Sequence, residues 1–199
     1  MPGSDNLFSV AALSERDRKE SNGELRTVLL SHLTEDSRGI MLDVGGGTGL
    51  LTETLSDVFG QVVVLEPDLR KVKYGAKRRQ EVGFIRGSAQ GIPVAGGSIG
   101  TLVSVAAFHH FQDQDTALEE MGRVLKPQGR LLLVEIDVTT VRGKILRFTE
   151  NRLMGGNSKF LVPDQLLEKV GHHGFVDVRL DRTSRGYVVV ATRGPARVC

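Results

Sequence analysis

The stretch MLDVGGGTGLL, residues Met41–Leu51, places four glycines directly after an apolar run, with one carboxylate, Asp43, just upstream of them. Glycine accepts a positive φ and lets a ligand approach the backbone closely. If the apolar run is a strand and a helix follows it, the free N–H groups of that helix point at whatever lies beyond the strand end. The stretch therefore predicts a loop built for close contact with a nucleotide-like ligand.

The spacing of these glycines separates two classes of ligand. The dinucleotide fingerprint needs glycines at its first, third and sixth positions. Counted from Gly45, the third position is Gly47 but the sixth is Leu50. A pyrophosphate gains nothing from the Asp43 carboxylate, whereas a ligand that carries an ammonium and a sulfonium does. The stretch therefore favours such a cationic ligand over NAD.

The composition sets limits on the class of protein. The chain has 199 residues, 40% of them hydrophobic and 25% charged, which is ordinary for one soluble domain. Its net charge of +2 is too small to argue for nucleic acid by itself. Cys199 is the only cysteine, the N-terminus lacks a signal-peptide pattern, and no apolar run approaches a membrane span. We expect a cytoplasmic protein without a membrane span.

Apolar, β-rich runs alternate with helix-like stretches along the chain. Such alternation predicts a parallel sheet with helices on both faces. The last two runs are separated only by Asp181–Gly186, too short for a crossover helix, so they should pair as an antiparallel hairpin. The predicted fold class is α/β, with a Rossmann-like doubly wound, mostly parallel seven-stranded sheet that ends in this hairpin. The seven runs are Ile40–Val44, Val62–Leu65, Phe84–Arg86, Thr101–Val105, Arg130–Glu135, Val176–Leu180 and Tyr187–Thr192.

Three motifs carry a resemblance to a known family. "LDVGGGTG", "VAAFHHFQD" and "ALEEMGRVLKPQGRLLLVE" resemble motifs of the class I S-adenosylmethionine-dependent methyltransferases. Within that family the chain is most similar to the small-molecule enzymes of the ubiquinone/menaquinone-biosynthesis type. The resemblance covers roughly residues 39–193 and implies S-adenosyl-L-methionine as cofactor, with methyl transfer to a small molecule. The acceptor atom, whether O, N, C or S, stays open at this point.

The resemblance also implies a set of cofactor-binding residues. Glu66 directly follows the second run, 21 residues after Gly45, where a carboxylate accepts both ribose hydroxyls. Where the family has an aspartate against the adenine amino group, this chain has Ser88, a weaker acceptor, with Gln90 nearby as a substitute. A second departure is Gln128, which replaces the first glycine of a Pro-Gly-Gly turn. The implied residues are Asp43, Gly45, Gly46, Gly47, Gly49, Glu66, Pro67, Ser88, Ala89, Gln90, Val105 and Ala106.

Two adjacent histidines are the candidates for chemistry at the methyl acceptor. His109 and His110 follow the fourth run, whose carboxyl end faces the cofactor cleft of such a sheet. Because imidazole titrates near neutral pH, either could orient or deprotonate a nucleophile, and at most one should face the substrate. We expect His110 to act there. No Cys-x-x-Cys or His-Glu-x-x-His occurs, so no metal site is expected.

We expect residues 1–199 to form a single methyltransferase domain in three parts. Residues 1–38 are an N-terminal helical cap, residues 39–135 a cofactor-binding half, and residues 136–199 a substrate-side segment with the C-terminal hairpin. Within residues 136–162, apolar residues interleave with basic ones, which indicates an amphiphilic or anionic acceptor. The alternative is that these apolar residues only pack on the sheet. They are Ile145, Leu146, Phe148, Leu153 and Met154, with Arg142, Lys144, Arg147 and Arg152 around them.

Other functions stay open beside this interpretation. The basic stretch Arg70–Gln80 leaves an RNA-modifying methyltransferase as an alternative, but the small number of aromatic residues favours a solvated helix face as its explanation. Ser88 leaves room for a cofactor-binding subunit without catalysis. An NAD oxidoreductase is disfavoured by Leu50.

Overall fold

The computed structural model describes residues 15–35, 38–153, 158–184 and 186–195. Its helices are α1 (Glu15–Ser31), α2 (Leu50–Glu53), α3 (Leu69–Arg78), α4 (Gln114–Val124), α5 (Val141–Leu153) and α6 (Pro163–His172), and a 3-10 turn spans Phe108–His110. Its strands are β1 (Ile40–Val44), β2 (Gln61–Glu66), β3 (Val82–Arg86), β4 (Ile99–Val105), β5 (Leu125–Glu135), β6 (Phe175–Arg182) and β7 (Tyr187–Arg193).

The seven strands form one sheet in the order β3-β2-β1-β4-β5-β7-β6. The neighbours from β3 to β5 are parallel, whereas β7 runs antiparallel to both β5 and β6. This topology confirms the predicted fold class, including the C-terminal hairpin. The last two strands do not follow their chain order in the sheet, because β7 lies between β5 and β6 and β6 forms the outer strand.

The alternation of side chains along each strand divides the core into two layers. In β2, Val62 and Val64 face the layer that contains Leu29 of α1, while Val63 and Leu65 face the opposite layer. The opposite layer is covered by α4 and α6, which bury Leu118 and Met121 of α4 and Leu166 and Val170 of α6 completely. Leu29 is 1% exposed, so α1 packs on one face of the sheet.

The carboxyl ends of β1, β2, β4 and β5 lie at one edge of the sheet, because these strands are parallel. From β1 the chain winds outward through β2 and β3 in one direction and through β4 and β5 in the other. The point where the winding reverses, between β1 and β4, is where open α/β sheets bind ligands. MLDVGGGTGLL ends at this point.

The connection after β1 differs from the prediction in one respect. The helix that follows the glycines, α2, has only four residues, and the chain continues as tight turns to Val58. A helix this short contributes little dipole. The N–H groups that face the cleft therefore belong to the glycine loop itself.

Two other features bear on the functional alternatives. The basic side chains of α3 are exposed, as on a solvated helix face. Within the described segments, no helix combines the length and apolarity that crossing a membrane requires. Residues 1–14, Met154 and Cys199 lie outside the described residues.

Candidate functional site

The glycine loop, residues 45–49, is shaped by contacts that exclude side chains. A Cβ on Gly45 would lie 2.6 Å from the Cβ of Ala107, and one on Gly46 would lie 2.5 Å from Asp43 Oδ2. Gly45, Gly47 and Gly49 all have a positive φ, which favours glycine. Gly47 differs from its neighbours because nothing lies within 4 Å of the position its Cβ would take. Gly45 and Gly46 therefore have no room for a side chain, whereas the space beside Gly47 is open.

Asp43 lies beneath this loop and is 3% exposed. Its Oδ2 accepts a hydrogen bond from Thr52 Oγ1 at 2.6 Å, while its buried Oδ1 has no hydrogen-bond partner among the described residues. Burial raises the pKa of Asp43 from 3.8 to about 6. A buried carboxylate with an unused oxygen gains strongly from a nearby cation.

Glu66, the last residue of β2, ties the loop to the neighbouring strand. Its Oε2 accepts from the Gly47 N–H at 3.1 Å, and its Oε1 accepts from the Asp68 N–H at 3.0 Å. Lys71 Nζ lies 3.9 Å from Oε1. The carboxylate is 4% exposed, so it is held in one orientation beside the open position at Gly47.

The loop after β3 presents the predicted adenine-binding residues. Ser88 Oγ and Gln90 Oε1 are hydrogen-bonded to each other, and Gln90 Nε2 donates to the Asp113 carbonyl oxygen at 3.3 Å. Ala89 is buried, whereas Ser88 is exposed. Pro67, another of the implied cofactor-binding residues, is also exposed, and its carbonyl oxygen accepts a hydrogen bond from Arg86 Nε at 3.4 Å.

The end of β4 completes this edge of the sheet. Ser104 Oγ donates to the Val44 carbonyl oxygen at 2.9 Å, which joins β4 to β1 just before the glycine loop. Val105 is half-buried, and Ala106 is exposed with a φ of 48°. A non-glycine residue in this conformation is strained, and such residues cluster at functional sites. Ala106, which directly follows β4, thus lies at the same edge of the sheet as the glycine loop.

The two histidines have different environments. His109 is 2% exposed, and its Nδ1 donates to Glu135 Oε2 at 2.6 Å, since a carboxylate can only accept. Glu135 Oε1 accepts from the Phe108 N–H at 2.9 Å. His110 is exposed, and its Nδ1 lies 3.3 Å from Ser158 Oγ. His109 is thus built into the turn, and His110 is the accessible histidine.

A strap, residues 158–162, lies over the histidine turn. The Lys159 N–H donates to the His109 carbonyl oxygen at 2.7 Å, and the Phe160 ring stacks on the His109 ring with centroids 4.1 Å apart. Gln114 Nε2 donates to the carbonyl oxygens of Phe108 at 3.2 Å and Lys159 at 2.9 Å. The strap and the buried Glu135 therefore hold the histidine turn, residues 108–110, from two different sides.

The sequence interpretation missed Glu135, Gln114 and Phe160. Glu135 carries a usable signal, because it is an acid at the carboxyl end of a parallel strand, as Glu66 is. Gln114 and Phe160 carry none, because each makes a contact with a residue far away in the chain, Gln114 with Lys159 and Phe160 with His109. No cluster of three metal-ligating side chains occurs among the residues that the structure describes.

Comparisons with known proteins agree with this geometry. Residues 42–133 match the methyltransferase domain family. A demethylmenaquinone methyltransferase of Renibacterium salmoninarum is 35% identical over 100 residues, 50% of this chain and 42% of that protein. A ubiquinone/menaquinone biosynthesis C-methyltransferase of Legionella pneumophila is 31% identical over 126 residues, 59% of this chain and 50% of that protein. A solved Thermotoga maritima structure, described as an S-adenosylmethionine-dependent methyltransferase and possible histamine N-methyltransferase, has a TM-score of 0.74 at 20% identity, covering 88% of this chain and 90% of that one.

The sheet order and the glycine-loop edge define the Rossmann-like methyltransferase fold. Residues 42–133 are similar to the methyltransferase domain family, and over this part of the chain the curated relatives are named as quinone methyltransferases. The chain spans about half the length of the curated relatives it matches.

The cofactor that this family implies is S-adenosylmethionine, and the residues present fit it. The unused oxygen of buried Asp43 suits a ligand that brings positive charge. The open position at Gly47 gives that ligand room against the backbone, and Glu66 lies beside it as a hydroxyl acceptor. The two carboxylates beside the loop, Asp43 and Glu66, disfavour a pyrophosphate.

Proposed function

We propose that this protein transfers a methyl group from S-adenosylmethionine to a small-molecule acceptor at the carboxyl edge of β1, β2 and β4. The observation that carries the proposal is the link between Gly47 and Glu66. The Gly47 N–H donates to Glu66 while Asp43 lies buried beneath the same loop. Two carboxylates thus flank one open stretch of backbone, an arrangement that suits a cationic nucleoside.

Each part of the cofactor has a matching group on the chain. Asp43 supplies negative charge for the ammonium and sulfonium, and Glu66 supplies acceptor oxygens for the ribose hydroxyls. The loop of Ser88, Ala89 and Gln90 lies where the adenine would rest, with the Gln90 amide as a polar partner. The backbone of Val105 and Ala106 borders the reacting end. All glycines of the loop, with Pro67, complete the predicted contacts.

The cofactor, when bound, supplies a methyl group on a sulfonium sulfur. The remaining task of the chain is to align the acceptor and to exclude water, so no covalent catalyst is required. His110 is exposed at this edge, where its imidazole can take the proton that a hydroxyl, amine or ring carbon loses on methylation. His109, buried on Glu135, positions the turn that carries His110.

The acceptor that the comparisons favour is a carbon of a quinone-type ring. Both curated relatives are named for menaquinone or ubiquinone biosynthesis, and one is named as a C-methyltransferase. We further propose that the chain works as one domain in the cytoplasm, with α5 and the strap on the acceptor side. That side would then be formed by residues 136–153 and 158–162 together with the histidine turn.

Calorimetry with S-adenosylmethionine tests the cofactor assignment. Glu66→Gln should weaken binding by about tenfold or more, because each lost charge-assisted hydrogen bond contributes about 1.5–3 kcal/mol. Glu81→Gln is the matched control, since Glu81 is exposed and bonds only to Ser56 Oγ among the described residues. Equal binding of NAD, or wild-type affinity in Glu66→Gln, would refute the assignment.

Turnover with labelled cofactor tests the activity. Demethylated quinone precursors should accept label, whereas RNA should not. If only RNA is labelled and gel shifts weaken steeply with salt, the RNA-modifying alternative is correct. Binding of cofactor without label transfer to any acceptor of a broad metabolite panel would favour a subunit without catalysis.

A further inference from the structure

Helix α5 exposes a stripe of large apolar side chains. Val141, Ile145 and Phe148 are 76%, 59% and 66% exposed. Their spacing of four and three residues places them on one face of the helix. Among the described residues six large hydrophobic side chains are exposed, and three of them make up this stripe. Scattered single apolar residues need no explanation, but a contiguous stripe indicates a binding surface.

The helix is held with this stripe outward. Gly143 is buried on roughly the opposite side of the helix. A Cβ at this position would lie 1.9 Å from the Asp137 carbonyl oxygen, so the backbone of α5 packs directly against residue 137. The Gly143 N–H donates to Thr140 Oγ1 at 3.0 Å, and Asp137 in turn pairs with Arg182 Nη1 at 2.7 Å. These contacts anchor the N-terminal end of α5. The outward direction of the stripe is therefore part of the fold.

Positive charge surrounds the stripe. Arg142, Lys144, Arg147 and Arg152 are exposed, and none forms an ion pair with a residue in the described ranges. The only acidic residue in the helix sequence is Glu150. An exposed apolar stripe with flanking lysines and arginines is the pattern of a helix that lies in the plane of an anionic bilayer surface.

We propose that α5 docks this protein on an anionic membrane surface. Val141, Ile145 and Phe148 enter the boundary between headgroups and acyl chains, and the basic side chains contact lipid phosphates.

A second copy of the chain fits this surface less well. In a two-fold dimer the same patch faces itself, so Arg142, Lys144 and Arg147 would oppose like charges. Three apolar side chains also fall short of the roughly 800 Å² per partner that a stable interface buries. Charge complementarity therefore selects an anionic lipid surface.

Docking through α5 has a consequence for the cleft that rests on the proposed function. Helix α5 follows β5, whose carboxyl end lies at the same edge as the glycine loop. A membrane against α5 would thus lie on the side from which the acceptor enters. The docking itself is measured without cofactor or acceptor, so its outcome is independent of the methyltransferase assignment.

Vesicle co-sedimentation of the full chain tests the docking. The wild type should bind vesicles with roughly 30% phosphatidylglycerol and bind pure phosphatidylcholine far less, with a steep loss at high salt. Ile145→Asp with Phe148→Asp should lower the binding constant by at least about tenfold. Arg142→Glu with Lys144→Glu should do the same. All four positions are exposed, so circular dichroism should show an unchanged fold.

Helix α3 provides the matched control. Lys73→Glu with Lys77→Glu makes the same change of charge on a helix whose exposed Tyr74 is covered by the Arg78 guanidinium at 3.9 Å. This variant should bind vesicles within about threefold of the wild type, because α3 lacks an apolar stripe to insert. If it loses as much binding as the α5 charge variant, the attraction is not specific to α5 and the proposal fails.

A single tryptophan reports insertion directly, since the chain has none of its own. Phe148→Trp should shift its emission to the blue on anionic vesicles, whereas Tyr74→Trp should not. No binding of the wild type to any vesicle would overturn the proposal. The proposal would also fail if the wild type sedimented as a dimer, did not bind vesicles, and became a monomer in Ile145→Asp. That result would assign the stripe to contact with a second copy of the chain.

Discussion

Glu135 Oε2 accepts a hydrogen bond from His109 Nδ1 at 2.6 Å, and this pair joins the end of β5 to the turn that follows β4. The other oxygen of the same carboxylate accepts from the Phe108 N–H at 2.9 Å. Both side chains are nearly inaccessible, 6% and 2% exposed. One carboxylate thus fixes the backbone and the buried ring of a turn whose last residue, His110, is exposed at the proposed acceptor side.

Removing that carboxylate should destabilise the protein. Glu135→Ala leaves the Phe108 N–H and the His109 ring nitrogen buried without a partner, which should lower the free energy of unfolding by about 3–5 kcal/mol. Glu135→Gln, which keeps one acceptor, should cost less, about 1–2 kcal/mol. Urea unfolding measures both. Glu119→Ala on the exposed face of α4 is the control, and an equal cost there would contradict this account of Glu135.

Asp43 should make stability fall as pH rises. Its pKa of about 6 in the folded protein lies above its ordinary 3.8, so the folded state binds the proton more tightly than the unfolded chain does. The free energy of unfolding therefore falls from about pH 4 to about pH 6, by about 3 kcal/mol, and is level above that range. Asp43→Asn should lack this decline when the two proteins are unfolded in urea across that range.

The same carboxylate should make cofactor affinity depend on pH in the opposite sense. A cation beside Asp43 stabilises the ionised form, so S-adenosylmethionine should bind more weakly as pH falls through about 6. Asp43→Asn should bind weakly at every pH without this dependence. Calorimetry between about pH 5 and pH 8 checks it, and identical pH profiles in the two proteins would show that Asp43 does not sense the ligand.

Gly47 and Gly97 form a matched pair for testing the loop. Both have a positive φ, 60° and 65°, and both have open space around the position of a Cβ. Alanine at either position should cost about 1 kcal/mol of stability from backbone strain. Only Gly47→Ala should also weaken cofactor binding, because its methyl group points into the proposed ligand space. If Gly97→Ala weakens binding equally, the effect is general strain.

The sequence predicted most of what depends on local pattern. The runs of apolar residues located all seven strands, and Glu66 followed from its place at a strand end. The length of α2 could not be predicted, because the glycines that open it also allow the tight turns that end it. The stacking of Phe160 on His109 could not be predicted either, because the two residues are about fifty positions apart and meet only when the strap packs on the histidine turn. Strand order around β7 likewise depends on tertiary packing.

Gln128 shows a departure from the family pattern that has a physical cost. It stands where the family has glycine, and its φ is 64°, a conformation that favours glycine. Gln128→Gly should therefore stabilise the protein by about 1 kcal/mol, since it removes the side-chain clash of that conformation. Thermal unfolding measures the change. Gln80→Gly, at an exposed position without a positive φ, should be neutral or destabilising; stabilisation there too would refute the explanation.

His110 should act on the methyl acceptor and leave the cofactor unaffected. His110 is exposed, and its Nδ1 lies 3.3 Å from Ser158 Oγ. If it takes a proton from the acceptor, His110→Ala should lower kcat by about 10²–10⁴ with unchanged cofactor affinity, and the acidic limb of the pH profile should disappear. If it only orients the acceptor, KM should change while that limb stays. His172→Ala, exposed on α6, is the control and should behave as the wild type. The prediction would be wrong if His110→Ala had wild-type kinetics while His109→Asn folded, bound the cofactor and lost turnover. The catalytic histidine would then be the buried His109.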